Sequence, residues 1–273
     1  MSTSEPVISG VDGRLDVYQL EQHALRRNAD GVALLAFASE ITQTGQHAHL
    51  ANETFRNADN MCAGARFANQ PVALGGYCTT FLVAPRLVAT AAHCTGYAPV
   101  DTDLTEFRVV FGFEMKNAKT ANLTFPMHDV YTAVRVSATC GVADCTLIEL
   151  DRPVTGHKVL KIRRSGTLSP TASVYVMGYP FALPLKYDAP TPISFIREGV
   201  IFAPLDIAGG NSGSPVFNAT TNEVEGTLGG YSSSGISNLD ATPAGCNVEH
   251  HAVPDDNYYA YANDIALLAD NIP

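Results

Sequence analysis

The sequence predicts an all-β protein, and three observations carry that expectation. Short apolar or alternating runs recur along the chain: GVALLAF at 31–37, TTFLVA at 79–84, FRVVFGF at 107–113, VYTAVRV at 130–136, CTLIEL at 145–150, SVYVMGY at 173–179, GVIFAPL at 199–205, SPVFN at 214–218 and EVEGTLGGY at 223–231. They are rich in Val, Ile, Phe, Thr and Tyr, which suit a pleated, half-buried surface. Gly, Pro, Asn and Asp punctuate the gaps, and 22 Gly with 16 Pro in 273 residues give the turn density of antiparallel sandwiches or barrels. One late segment breaks the pattern. PDDNYYAYANDIALLADNIP opens with Pro-Asp-Asp and then places Tyr258, Tyr261, Ile265 and Leu268 at three- and four-residue intervals, so the spacing predicts a C-terminal amphipathic helix.

Bulk properties exclude several function classes. A hydrophobic content of 46% against 16% charged describes a globular chain with a substantial core and not a disordered one. The net charge of −10 argues against a nucleic-acid or anionic-membrane partner. No window reaches the ~18 apolar residues that a membrane-spanning helix needs. The start, MSTSEPVISG, has neither the basic nor the apolar region of a signal peptide.

Cysteines 62, 78, 94, 140, 145 and 246 form an even set, which permits about 15 connectivities. Cys140 and Cys145 enclose only GVAD, and Cys78 and Cys94 bracket a single strand-like run; Cys62 and Cys246 are then left to pair. A disulfide framework predicts an exported protein, secreted or periplasmic.

Three segments carry candidate chemistry. In DIAGGNSGSPVF, Ser212 lies among glycines; on base rates that is a surface turn, but it also suits a hydroxyl whose flanking N–H groups must closely approach a substrate carbonyl. In LVATAAHC, small residues precede His93, as in a short turn that aims the imidazole. In CGVADCTLIELDRPV, Asp144 sits at the mouth of a strand, where a plain turn aspartate is the ordinary reading. Taken together, they match the division of labour in nucleophilic acyl transfer. A serine hydroxyl needs a base within reach, and the base needs an acceptor to fix its tautomer. Ser212 is then the nucleophile, His93 the general base and Asp144 its orienting partner, with the N–H groups of Gly210 and Ser212 as the oxyanion hole.

In that order, TAAHC, DCTLIEL and GNSGSPVF resemble the His, Asp and Ser motifs of chymotrypsin-fold serine peptidases. GGNSGSPVFN and the start VISGVDGRLDVYQ are similar to the bacterial branch that contains the glutamyl endopeptidases. CAGARFANQP, YCTTFLVAPRLVATAAHC and ELDRPVTGHKVLKIRRSG resemble a group of bacterial trypsin-like peptidases. The resemblance implies two six-stranded antiparallel β-barrels with the site between them. It divides the chain into an N-terminal arm (1–30), a first barrel with His93 and Asp144 (31–155), a second with Ser212 (156–252) and the helix (253–273). It also implies a monomeric serine endopeptidase acting on polypeptides without a cofactor or metal. Residues 38–77 are a longer lead-in than such a peptidase needs. Asn211 stands where trypsins carry the Asp that pairs with a newly cut N-terminus.

For specificity, Asp206 lies at the offset before Ser212 where trypsins place the carboxylate of the primary pocket, which favours cleavage after Arg or Lys. Glutamyl endopeptidases bind the substrate carboxylate with a pocket histidine, and the matching position in GTLGGY is Leu228, beside Gly229. No Lys, Arg or His occurs from Ala203 to Ser234, so a Glu substrate would need Arg197 or an N-terminal amine as its cation. Tyr231 stands at the pocket entrance, where a glycine is usual. Two other readings compete with the enzyme. A catalytically silent homologue acting as a binding module keeps the fold and usually loses His or Ser, whereas this chain has all three. An α/β-hydrolase esterase fails, because GNSGS puts Ser214 where its second Gly belongs and that fold runs Ser, acid, His. His47 with His49, and His250 with His251, lack thiolate or carboxylate companions at metal-site spacing and read as solvated loop residues.

Overall fold

A computed structural model describes residues 8–232, 238–252 and 259–273. The Pro-Asp-Asp start and Tyr258 of the expected helix lie outside the described residues, as does the N-terminal amine. Six strands close into a barrel in the order Phe107–Phe111, Val130–Thr139, Thr146–Leu150, Leu87–Thr90, Gly76–Ala84 and Val32–Phe37, the last pairing back onto the first. Closure removes every edge and turns one side chain in two inward, so Leu35, Leu82, Val88, Val109, Val136 and Ile148 pack as one apolar cluster.

The second half departs from expectation. It is not a second six-stranded barrel but an open, curled sheet of eight strands, in the order Phe195–Arg197, Val200–Ala203, Ala260–Asp264, Val224–Tyr231, Pro215–Asn218, Ser173–Gly178, Lys186–Pro192 and Leu15–Asp16. A short strand has been added at each edge. Phe195–Arg197 hairpins onto Val200–Ala203 through Glu198 and Gly199, both at positive φ (52° and 77°), the geometry of a tight two-residue turn. At the other edge Leu15–Asp16 pairs with Lys186 and Tyr187, and the buried Lys186 ammonium fixes it by donating to Asp16 at 2.7 Å.

The expected C-terminal amphipathic helix is likewise corrected. Ala260–Asp264 is a strand between Val200–Ala203 and Val224–Tyr231, followed by a seven-residue 3-10 helix, Ile265–Asn271. Ile265 and Leu268 are fully buried as the periodicity requires, but the ladder claims Tyr261. Long-range pairing overrides local spacing there. Two α-helices, His23–Ala29 and Phe55–Ala58, occur where none was expected; the second is capped by the Thr54 hydroxyl, which accepts from Asn57 N–H.

The lead-in at 38–77 is structured. Ile41–Thr44 and His47–Leu50 form a hairpin against Thr124–Pro126, and Asn52–Thr54 pairs with Pro71–Ala73. Disulfides join Cys62–Cys246, Cys78–Cys94 and Cys140–Cys145. One large core cluster crosses from barrel to sheet, combining Phe81 and Leu147 with Tyr175, Phe217 and Leu268. That shared core holds the two halves in register at their seam.

Candidate active site

The strand Leu87–Thr90 runs through Ala91 into a single 3-10 turn, Ala92–Thr95, which Gly96 ends in the left-handed region at φ 63°. Small residues let the chain turn this sharply, and the Cys78–Cys94 bridge ties the turn to the neighbouring strand. His93 emerges from it with its side chain about one-third exposed. Asp144 sits at the barrel rim inside the Cys140–Cys145 ring and is almost buried. Its two oxygens serve the same residue: Oδ1 accepts the His93 backbone N–H at 2.9 Å, and Oδ2 lies 2.7 Å from His93 Nδ1. This two-point grip makes Nδ1 the protonated nitrogen and leaves the Nε2 lone pair as an acceptor.

Ser212 belongs to the sheet, in the loop before Pro215–Asn218. Two bonds from one threonine staple that loop to the barrel: Thr79 N–H donates to Ser212 O, and Thr79 Oγ1–H to Gly210 O, both at 2.8 Å. Cys94 Sγ, next to His93, is 3.7 Å from Ser212 O. The glycines are required by this packing. A Cβ on Gly213 (φ 84°) would fall 2.1 Å from Thr90 Oγ1 and 2.9 Å from Ala91 N, and one on Gly210 (φ 95°) would fall 2.3 Å from Tyr179 O. The loop carrying Ser212 therefore lies against the chain two residues before His93.

The remaining sequence-derived positions gather on the sheet, where Leu228 and Tyr231 pack with Leu205 and Ile207, on either side of Asp206 in the chain. Asp206 is buried, and its N–H donates to Asp188 Oδ2 at 2.9 Å. Leu228 is fully buried in the core of the sheet, a Gly229 Cβ would strike the Tyr261 ring, and the Tyr231 hydroxyl donates to Ile207 O at 2.5 Å. The Arg197 guanidinium sits over the Phe195 and Phe202 rings. Cys78, His93 and Cys94 place their ligand atoms within 4.8 Å of one another, but both sulfurs are in the disulfide, so no thiolate is offered to a metal.

The family described as a trypsin-like peptidase domain matches residues 78–226, more than half of the chain, and that span holds His93, Asp144 and Ser212. The chain belongs to the trypsin-like peptidase family. No curated protein matches it in sequence. Among solved structures, this trypsin-like chain is similar in fold to a Glu endopeptidase in complex with MPD (14% identity, 97% of this chain and 96% of that one, TM-score 0.53). It is also similar to the VesB protease of Vibrio cholerae (12%, 96% and 67%, TM-score 0.55) and to an inactivated protease paralogue of the scabies mite (12%, 96% and 97%, TM-score 0.53).

Three residues around Asp144 escaped the sequence reading. Asn263 Nδ2 donates to Asp144 O at 3.1 Å, carrying a contact from the sheet to the barrel. Tyr261, two residues earlier on the same face of its strand, is pushed up to about 12 by burial and by the Asp144 charge. Tyr97 is raised for the same two reasons. The alternation of Tyr261 and Asn263 was the available signal, and the helical reading of that segment concealed it.

Proposed function

We propose that this trypsin-like peptidase-family chain is a serine endopeptidase that cleaves polypeptides through an acyl-enzyme. Ser212 attacks the scissile carbonyl, and His93 takes the hydroxyl proton at Nε2 and returns it to the leaving amine. Asp144 holds the imidazole and balances its charge, while Gly210 and Ser212 N–H groups receive the oxyanion. The observation that carries this reading is the double contact of Asp144 on His93, which sets tautomer and orientation together. Three disulfides support action outside the cytosol, in a secreted or periplasmic setting.

A fluorophosphonate probe tests the reading. Labelling of the wild-type chain and not of Ser212→Ala, with matching loss of peptide-ester turnover, is the expected result. A chain that folds and resists the probe would be a silent homologue, the second reading, which the likeness to an inactivated mite paralogue keeps open.

For specificity we favour cleavage after Arg or Lys. The buried Asp206 carboxyl supports it, and so does the lack of any Lys, Arg or His from Ala203 to Ser234. Likeness to a Glu endopeptidase extends to the fold alone. Asp206→Asn assayed on matched Arg, Glu and Phe substrates decides the matter: selective loss on Arg supports the assignment, and a native preference for Glu overturns it.

A further inference from the structure

An open pocket of about 420 Å³ is lined by Gly209 and Gly210, shortly before Ser212 in the chain, and not by the buried Asp206. Leu74, Gly76 and Phe181 line it, and Glu53 and Asp59 of the otherwise unassigned lead-in give it an acidic wall. None of the candidate specificity residues Asp206, Leu228, Gly229 or Tyr231 lines it. Gly210, whose N–H the proposed mechanism uses for the oxyanion, lines this pocket while the candidate primary-pocket residues do not, which points to a pocket on the other side of the scissile bond.

The acidic wall is built to keep its shape. Cys62–Cys246 ties it to the sheet side of the molecule. Asn247 reinforces that tie three times: its N–H donates to Asn60 O, its carbonyl accepts Cys62 N–H, and its Nδ2 donates to Asp59 O at 2.8 Å. Phe55, fully buried beneath, packs on Phe181 with ring centroids 4.9 Å apart. The charge has one sign. Among the described residues neither Glu53 nor Asp59 has a cation within 4 Å, and no Lys, Arg or His lines the pocket. Burial and the Glu53 charge hold the Asp59 carboxyl above its usual range, as befits two carboxylates facing a common space.

We propose that this pocket receives a Lys or Arg side chain of the substrate on the leaving-group side of the scissile bond, with Glu53 and Asp59 as its specificity-determining residues. The proposal rests on the serine peptidase reading and gives the 38–77 lead-in a task. A basic side chain crossing Leu74 packs its methylenes on that wall and delivers its charge to the carboxylates beyond.

Acyl transfer tests it without depending on acylation. An ester donor that the protein turns over is hydrolysed in the presence of argininamide, lysinamide, alaninamide or glutamic acid amide, and the partition of one acyl-enzyme between water and each amide is measured. Argininamide and lysinamide should be captured about three- to tenfold better than alaninamide, and glutamic acid amide worse, with the preference shrinking in high salt. Glu53→Gln with Asp59→Asn should bring the ratios close to one, and Glu53→Lys should favour glutamic acid amide. Flat partition in the wild type, or a basic preference that survives the double substitution, overturns the pocket assignment while leaving the peptidase reading intact. Failure of every ester donor to be turned over overturns both.

Discussion

Asp144 on the closed barrel and Asp188 in the open sheet are both almost fully buried carboxylates, yet they are satisfied in opposite ways. Asp144 spends both oxygens on one histidine. Asp188 accepts the Asp206 N–H and faces a second carboxylate, with Arg14 acting on it only through its charge. Arg14 itself is already held by Asp12 at 2.8 Å and Glu249 at 2.5 Å. The barrel, having no edges, holds Asp144 at its rim, where it orients the His93 imidazole. The open sheet admits charge into its interior along the added edge strand. The rim carboxyl thus has a donor at each oxygen, while the Asp188 carboxyl shares its buried surroundings with another acid.

The largest expected effect is on the barrel side. Asp144→Asn should leave the fold intact and lower kcat by ~10⁴, because an amide no longer enforces the Nδ1–H tautomer. Steady-state turnover of a peptide ester against the wild type checks it, and near-normal kcat would remove Asp144 from the mechanism. On the sheet side, Arg14→Met should cost stability and not chemistry. It strands Glu249 beside an apolar side chain, while Asp12 keeps Arg66 at 2.8 Å, a loss of about 3 kcal/mol by urea unfolding. The deficit should shrink toward acid pH, since burial already holds the Glu249 carboxyl above its usual range and it accepts a proton readily. A deficit independent of pH would mean that packing is what Arg14 supplies.

Asn263 joins the two regions, and Asn263→Ala should cost about 1–3 kcal/mol of stability by leaving the buried Asp144 carbonyl without its donor. It should also lower kcat by far less than Asp144→Asn does, since the side-chain grip on His93 remains. Equal losses in kcat would show that the sheet, and not the barrel, orients the base.

The sequence exposed the barrel and its site more fully than the sheet, for physical reasons. The apolar runs TTFLVA, FRVVFGF and CTLIEL are buried at nearly every residue, one face in each of two core clusters, and His93, Asp144 and Ser212 each stand beside small residues or cysteines that mark tight turns. Barrel closure leaves few ways to pair such strands. The added strands are two or three residues long and carry no periodicity: Leu15–Asp16 is held by the buried Lys186, and Phe195–Arg197 by a hairpin turn at Glu198 and Gly199. Tyr261, Ile265 and Leu268 satisfy both a helical spacing and a strand followed by a 3-10 turn, and only pairing with Val200–Ala203 and Val224–Tyr231 decides between them. The acidic pocket wall was hidden because Glu53 and Asp59 share a pocket with Gly210, far later in the chain, and only the folded chain brings them together.

The smallest effect at any single pH belongs to Asp188→Asn, and its sign separates the two kinds of buried carboxylate. Burial first, and the Asp206 charge second, push the Asp188 carboxyl up to about 8 from an ordinary 3.8. A carboxyl raised on folding keeps its proton in the native state where the unfolded chain has released it. Native stability therefore falls as pH climbs from the ordinary carboxylate range to about 8, and this contribution levels off on either side. Asparagine preserves the volume and the acceptor for Asp206 N–H but does not titrate. The two proteins should be about equally stable near pH 4, with the variant increasingly ahead as neutrality is passed. Because Asp188 and Asp206 titrate as a pair, the divergence should be gradual, a fraction of the ~1.4 kcal/mol per pH unit that one whole proton would give. Lys186, held down to about 8 by burial, acts in the opposite sense above that pH, so urea unfolding is best compared between pH 4 and 8. Parallel stability curves across that interval would show that Asp188 is ionised throughout, and the sheet would then handle its buried charge as the barrel does.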